Sequence, residues 1–330
     1  MNSRTRVEAA LKGGKVDRAP AGAWGHTYRE EWSPQALATV TALRRARYEW
    51  DFIKFQPRAS CFAEAFGARY ASSNHSLRAP REVSHPIHGH RDWPGLPEAD
   101  ASAPSLAEQV ESLRLTVEAV GPDVPVIQTV FSPITVAGYL VGKDKRRAVR
   151  DLRRDPDSVL PALERIADTL IDFSRRSIEA GAAGVFYAIS GYASAGMTTA
   201  EEYDRWLFPL DQRILEALPR EAWFNVLHLC RGGLHFDIAR RLPVQVVSWS
   251  IHDPGNPGLA RGRELSGKAV MGGLGQRTTL YRGSSEEVLQ EARDALRDTG
   301  GTGLLLAPGC SVPPGARAAN LIAMMNAVAA

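Results

Sequence analysis

The chain has 330 residues, 44% of them hydrophobic, which is ample for a large buried core, and its 40 basic and 37 acidic side chains leave a formal net charge of +3. So weak a charge, with no basic stripe interleaved with aromatics, argues against nucleic acid as a partner, and no stretch approaches the roughly 20 apolar residues that span a membrane. Three cysteines make no disulfide framework, and Met1 to Val7 lead into a polar helix instead of a signal sequence, so the expected compartment is the reducing cytoplasm.

Short apolar runs recur along the chain between longer segments of helical periodicity. The strand-like runs are Ala21 to Gly25, Asp51 to Phe55, Pro125 to Val130, Gly184 to Ile189, Ala222 to His228, Val244 to Ser250, Ala269 to Leu274 and Gly303 to Ala307. Helices are predicted over Pro34 to Tyr48, Ser105 to Val120, Pro156 to Ala180, Thr199 to Leu218, Leu234 to Arg241, Gly258 to Leu265, Ser284 to Arg297 and Ala316 to Val328. The basic run from Lys143 to Arg154 has acids mixed in and reads as a solvated helix face. Eight strand-and-helix repeats in a chain of this length predict one (β/α)8 TIM barrel, a single domain over 1–330. The doubly wound alternative wants an early glycine-rich strand-to-helix turn, which is missing. The extra length lies between Cys61 and Pro104, where Arg69 to Ser72 and Arg81 to Ile87 suggest a hairpin and loop over the barrel mouth, inserted after the second strand. Its His75, His85, His88 and His90 lack a strand-end scaffold and read as a polar surface loop rather than a metal site.

His228 and Cys230 close one apolar strand run and Cys310 follows another. Side chains at the carboxyl ends of different barrel strands converge on one mouth, so these residues, distant in sequence, are placed to share a metal. Three protein ligands with a fourth position open is the pattern of catalytic zinc, and a thiol entering that position loses its proton. The competing reading is ordinary: cysteines are often small buried hydrophobes and a strand-end histidine a core group. By strand-end position His26, Gln56, Gln128, Tyr187, Ser190, Ser250, His252 and Asp253 are expected near the mouth. Asp253 or His252 would orient His228 or act as an occasional fourth ligand, although Pro254-Gly255-Asn256-Pro257 equally suits a turn at Asp253. Gly272 and Gly273 fit either a phosphate loop or a point where a bulky cofactor comes close.

Several stretches resemble the uroporphyrinogen decarboxylase superfamily, and specifically its zinc-dependent methylcobamide:thiol methyltransferase branch, the coenzyme M type. They are Phe131 to Leu140, Gly181 to Tyr187 with Ser190-Gly191 and Tyr203 to Pro209, Met271 to Leu274 before Gly283 to Val288, and Pro308 to Pro313 with Asn320 beyond. The resemblance covers most of the chain, least between about Ala59 and Pro104, and is most specific at His228-Leu229-Cys230 together with Pro308-Gly309-Cys310. It implies that His228, Cys230 and Cys310 ligate zinc. The decarboxylases' amino-terminal arginine-rich motif is absent: the matching Trp24 to Glu30 holds one arginine, too few cations for a tetrapyrrole bearing many carboxylates.

The resemblance implies a zinc enzyme that moves a methyl group between a corrinoid and a thiol or tetrahydrofolate-type pterin acceptor. The sequence has no Asp-x-His-x-x-Gly corrinoid motif, so the cobalamin carrier is expected on a partner protein. A homodimer stays open. The alternatives are a decarboxylating lyase of the same fold and a non-catalytic corrinoid- or metal-binding subunit.

Overall fold

The structure, a computed structural model, describes residues 1–329. Seven parallel strands form one sheet in the order β1, β4, β5, β6, β7, β8, β9, with β1 at Ile53–Phe55, β4 at Val126–Phe131, β5 at Gly184–Ile189, β6 at Val226–Leu229, β7 at Val246–Trp249, β8 at Ala269–Leu274 and β9 at Leu304–Pro308. Each is buried on both faces, which is why the runs read as continuously apolar. The long helices Pro34–Tyr48, Pro104–Val120, Pro156–Glu179 and Ser285–Thr299 follow strands or precede them as the repeat requires. β2 (Arg69–Ala71) and β3 (Arg81–Ser84) pair antiparallel outside this sheet. No described helix is long and apolar enough to cross a membrane.

The ends of the sheet meet through the segment before β1. Leu306 donates its N–H to the Pro20 carbonyl at 2.9 Å, Gly22 donates to Leu306 at 3.1 Å, and Asp51 donates to Ala21 at 2.9 Å. The run Ala21 to Gly25 is thus one bridge, Ala21 to Leu306, and not the full strand its sequence suggests. Two causes are local. Pro20 has no N–H for a ladder, and the Trp24 carbonyl accepts from Val312 in the loop beyond β9, at 2.9 Å.

Two predicted helices also differ. Thr199 to Leu218 divides into Ala200–Glu202, a wide π turn over Tyr203–Leu207, and Phe208–Glu216. Pro209 cannot donate to the carbonyl four residues back, and the Phe208 N–H reaches the Tyr203 carbonyl instead. Leu234 to Arg241 shortens to Ile238–Arg241, because Leu234 is held extended by a bridge to Ser194 and His235 donates to Ala193 at 3.0 Å.

Parallel pairing puts residues of matching register on the same side of the sheet. Gln128 pairs with Val185 and Tyr187 with Leu227, and Tyr187 donates to Asp211 of the outer helix Phe208–Glu216 at 2.5 Å. Tyr187 and Gln128 therefore face the helices and not the barrel interior. Tyr203, on the π turn, donates to the other oxygen of Asp211.

Burial pushes the Asp211 carboxyl up to about 7, against the two tyrosine hydroxyls that pull it down. Its unfolded value is about 4, so the folded protein keeps a proton the unfolded chain has released. The stabilisation is full below about pH 4 and is lost as pH rises through about 7. Denaturant unfolding of the wild type is expected to weaken over this window by no more than about 4 kcal/mol, while Asp211→Asn shows a flat profile. Equal slopes for both proteins would show that another group titrates.

Candidate metal centre

The strand β6 carries His228 toward the interior, where its ring stacks on Phe186 with centroids 4.9 Å apart. The ring is fixed by Ser248, its register partner on β7, whose hydroxyl lies 3.2 Å from Nδ1. Engagement of Nδ1 leaves Nε2 free to face the two sulfurs as a donor. Cys230 stands one residue beyond β6 and Cys310 two beyond β9, yet their sulfurs are 3.6 Å apart. One donor atom from each of His228, Cys230 and Cys310 lies within 4.8 Å of the others.

Backbone contacts bring the two loops together. A Cβ at Gly309 would stand 2.6 Å from Ser250 Cα, and one at Gly232 would stand 2.4 Å from the Pro254 oxygen. Only glycine allows either approach. Between Cys230 and Gly232, Arg231 takes the left-handed conformation at φ 84°. Such a conformation is costly for a non-glycine residue and persists where the surroundings impose it. Here the Asn256 amide donates to the Arg231 carbonyl at 2.9 Å and to the Ser250 carbonyl at 2.8 Å, bridging the loops after β6 and β7.

The two sulfurs lie within hydrogen-bonding distance of each other. Hydrogen bonding from Cys230 holds Cys310 well below the usual thiol range, helped by His228, while the same bond and burial hold Cys230 well above it. Sulfurs on a tetrahedral zinc with bonds of about 2.3 Å stand roughly 3.8 Å apart, and the observed 3.6 Å fits that geometry. Two sulfurs and a nitrogen are a donor set suited to zinc, with a fourth position left for another ligand.

A cavity of about 490 Å³ opens beside both sulfurs, lined by Ser190, Ser250 and Asp253 of the expected set and also by Lys145, Arg231, Gln276 and Arg277. The other expected residues lie elsewhere. The His252 Nε2 is 3.3 Å from the Gly273 carbonyl and 3.4 Å from Glu291, so it does not orient His228. Asp253 forms a backbone turn to Asn256 and lines the cavity, and Ser248 takes the orienting place. His26 contacts Glu31 at 2.7 Å and Gln56 at 3.1 Å, away from the cavity. Gln128 turns outward with its amide nitrogen unpartnered. Gly272 and Gly273 make room for neighbouring protein, since their Cβ atoms would meet the Trp249 oxygen at 3.0 Å and Ala295 Cβ at 2.8 Å. Lys54, Lys145, Arg231, Ser248 and Asn256 escaped the sequence reading. Lys54 and Ser248 left a signal, as polar residues inside apolar strand runs.

The family model described as uroporphyrinogen decarboxylase matches residues 2–330. A methylcobamide:CoM methyltransferase, MtaA of Methanosarcina barkeri, is 23% identical over 98% of this chain and 96% of its own length. A uroporphyrinogen decarboxylase of a Geobacter species is 24% identical over 71% of this chain and 67% of its own length. Among solved structures, a methyltransferase from Methanosarcina mazei superposes with a TM-score of 0.85 at 22% identity, covering 100% of this chain and 98% of that one.

The strained loop gives a test of what sets the sulfur spacing. In metal-free protein, Asn256→Ala is expected to lower affinity for phenylarsine oxide, which bridges paired thiols, by about tenfold, on the order of the loss when a supporting contact to a ligand is removed. Adding Arg231→Gly, which takes positive φ freely, is expected to restore most of it. A double variant no better than the single one would show that Asn256 does not act through Arg231.

Proposed function

The chain belongs to the uroporphyrinogen decarboxylase family, and we propose that it is a zinc-dependent methyltransferase of that family. It moves a methyl group between a corrinoid carried by a partner protein and a thiol or pterin acceptor. The carrying observation is the convergence of His228, Cys230 and Cys310 on one point beside an open cavity, with donors within 4.8 Å. Relatives named as methyltransferases align with nearly the whole chain, which supports this reading over the decarboxylase one.

When bound by these residues, zinc would supply the Lewis acidity that keeps an acceptor sulfur deprotonated at neutral pH. The chain does the rest. Ser248 holds the imidazole in orientation, and the Asn256 bridge fixes the loop carrying Cys230. Lys145, whose ammonium donates to the Ser190 carbonyl at 2.8 Å, joins Arg231 and Arg277 around the cavity, opposed by the one carboxylate of Asp253. That surplus of cations suits a small anionic acceptor.

The structure fits the decarboxylase reading less well. Arg29, the arginine in the segment matching the decarboxylases' basic motif, is turned to the surface and pairs with Glu30 at 2.7 Å. It is not available to a carboxylated tetrapyrrole inside the barrel.

Purified protein is expected to carry about one zinc per chain, and Cys230→Ser, Cys310→Ser and His228→Ala to lose it, while Cys61, buried away from the site, does not contribute. Methyl transfer from methylcobalamin, followed in the visible spectrum with thiols and tetrahydrofolate, is expected to disappear in the same variants. Full zinc in both serine variants, or full activity in zinc-free protein, would defeat the assignment. Ser248→Ala is expected to weaken zinc binding by about 10-fold or more in chelator competition, as losing the second partner of a ligand histidine does. Unchanged affinity would show that the Ser248 contact does not support the ligand.

A further inference from the structure

Lys54 is a lysine in the middle of β1, 5% exposed, between the buried apolar residues Ile53 and Phe55. Its ammonium donates to the Gln56 amide oxygen at 2.5 Å, and no ion pair reaches it among the described residues. Gln56 in turn contacts His26 at 3.1 Å, and His26 contacts the buried carboxylate of Glu31 at 2.7 Å. The fixed negative charge on this side therefore stands at the far end of a relay. A buried ammonium without an adjacent counter-charge is expensive, and packing alone would be served better by an apolar residue.

The other side of the ammonium faces the metal centre. Its Nζ lies over the Phe186 ring, 4.9 Å from the centroid, and His228 stacks on Phe186 at the same centroid distance. Lys54 and the imidazole of His228 thus pack against one and the same aromatic ring. Burial pulls the Lys54 ammonium down to about 7, and Cys310, Glu31 and Cys230 are the negative groups that oppose this. Each of the two sulfurs, once ionised, acts on the Lys54 ammonium.

We propose that Lys54 is a positioning residue whose positive charge offsets the extra thiolate when an acceptor joins His228, Cys230 and Cys310. This rests on the zinc and thiol reading given above. Two cysteine thiolates and a neutral imidazole cancel the charge of a zinc ion, so an acceptor thiolate brings the cluster to a net charge of about minus one. Lys54 returns the buried unit to neutrality without touching the acceptor. One charge acting over roughly 10 Å at an effective dielectric of about 20 changes an affinity by about tenfold.

The test uses cobalt-substituted protein, in which the cobalt–thiolate absorption reports acceptor binding directly, with a neutral thiol, 2-mercaptoethanol, and an anionic one, 3-mercaptopropionate. Lys54→Met is expected to keep its metal and its tetrahedral spectrum while binding both thiols about tenfold more weakly, and Lys54→Arg to recover most of the loss. Should Lys54→Met not fold, Gln56→Leu, which releases the ammonium from its holder, must weaken both thiols in parallel. Unchanged thiol affinity in Lys54→Met overturns the proposal, as does a loss confined to 3-mercaptopropionate, which would make Lys54 a contact for the acceptor's own anion. A wild-type protein that takes up no cobalt, or takes it up and binds neither thiol, overturns the zinc and thiol reading itself, and this proposal with it.

Discussion

The carboxylate of Asp51 closes the ring on which everything at the mouth depends. Wholly buried, it accepts from Arg6 at 2.5 Å, from Arg18 at 2.6 and 3.0 Å, from the Ala21 backbone at 2.9 Å and from Ser3 at 3.2 Å. These contacts fasten the Pro20–Gly22 segment into the gap between β1 and β9, where a full eighth strand would otherwise supply the ladder. A buried charge is tolerable only when so fully partnered, and removing one member leaves the others uncompensated. The closure matters because β6 and β9 are not neighbours: β7 and β8 lie between them. Their ends can approach across the mouth only if the sheet is held curled.

Within that ring the three donors differ in how they are held. His228 belongs to a strand, so its position follows from the ladder and its ring orientation from Ser248 and Phe186. The two cysteines stand just past strand ends, where nothing in a ladder fixes them. Their placement comes from loops pressed against other backbone, at Gly232 against Pro254 and at Gly309 against Ser250, with Arg231 strained between. Asn256 ties these loops together, and because its donors go to the carbonyls of Arg231 and Ser250, one side chain couples the loop after β6 to the loop after β7.

Seven of the eight expected strands, and the convergence of His228, Cys230 and Cys310, were legible in the sequence because each rests on a local signal: an apolar run, or a soft donor at the end of one. Which way a side chain points was not. Strands buried on both faces show no alternation, so the phase of the pleat cannot be read from composition, and a one-residue change of phase moves every side chain to the opposite face. Hence Gln128 and Tyr187, plausible by position, face the helices, while Ser248 and Lys54 face inward unannounced. Gly272 and Gly273 misled for a related reason. Glycine in a strand signals close approach, and here the approaching group is protein.

The charge pattern across the mouth follows from the same pleat. Two sulfurs, Cys310 held toward the thiolate and Cys230 toward the thiol, line the open cavity. On the cavity side Lys145, Arg231 and Arg277 are placed on loops and a helix start, where water also screens them, so they act mainly on what enters. On the interior side Lys54 is placed by β1, shielded from water and held at one distance by Gln56 and Phe186. A cation in that position acts without reorganising, whereas a flexible surface cation must first be ordered. The interior lysine is therefore the one whose effect on a buried thiolate survives high salt, and the cavity cations are the ones whose effect fades with it.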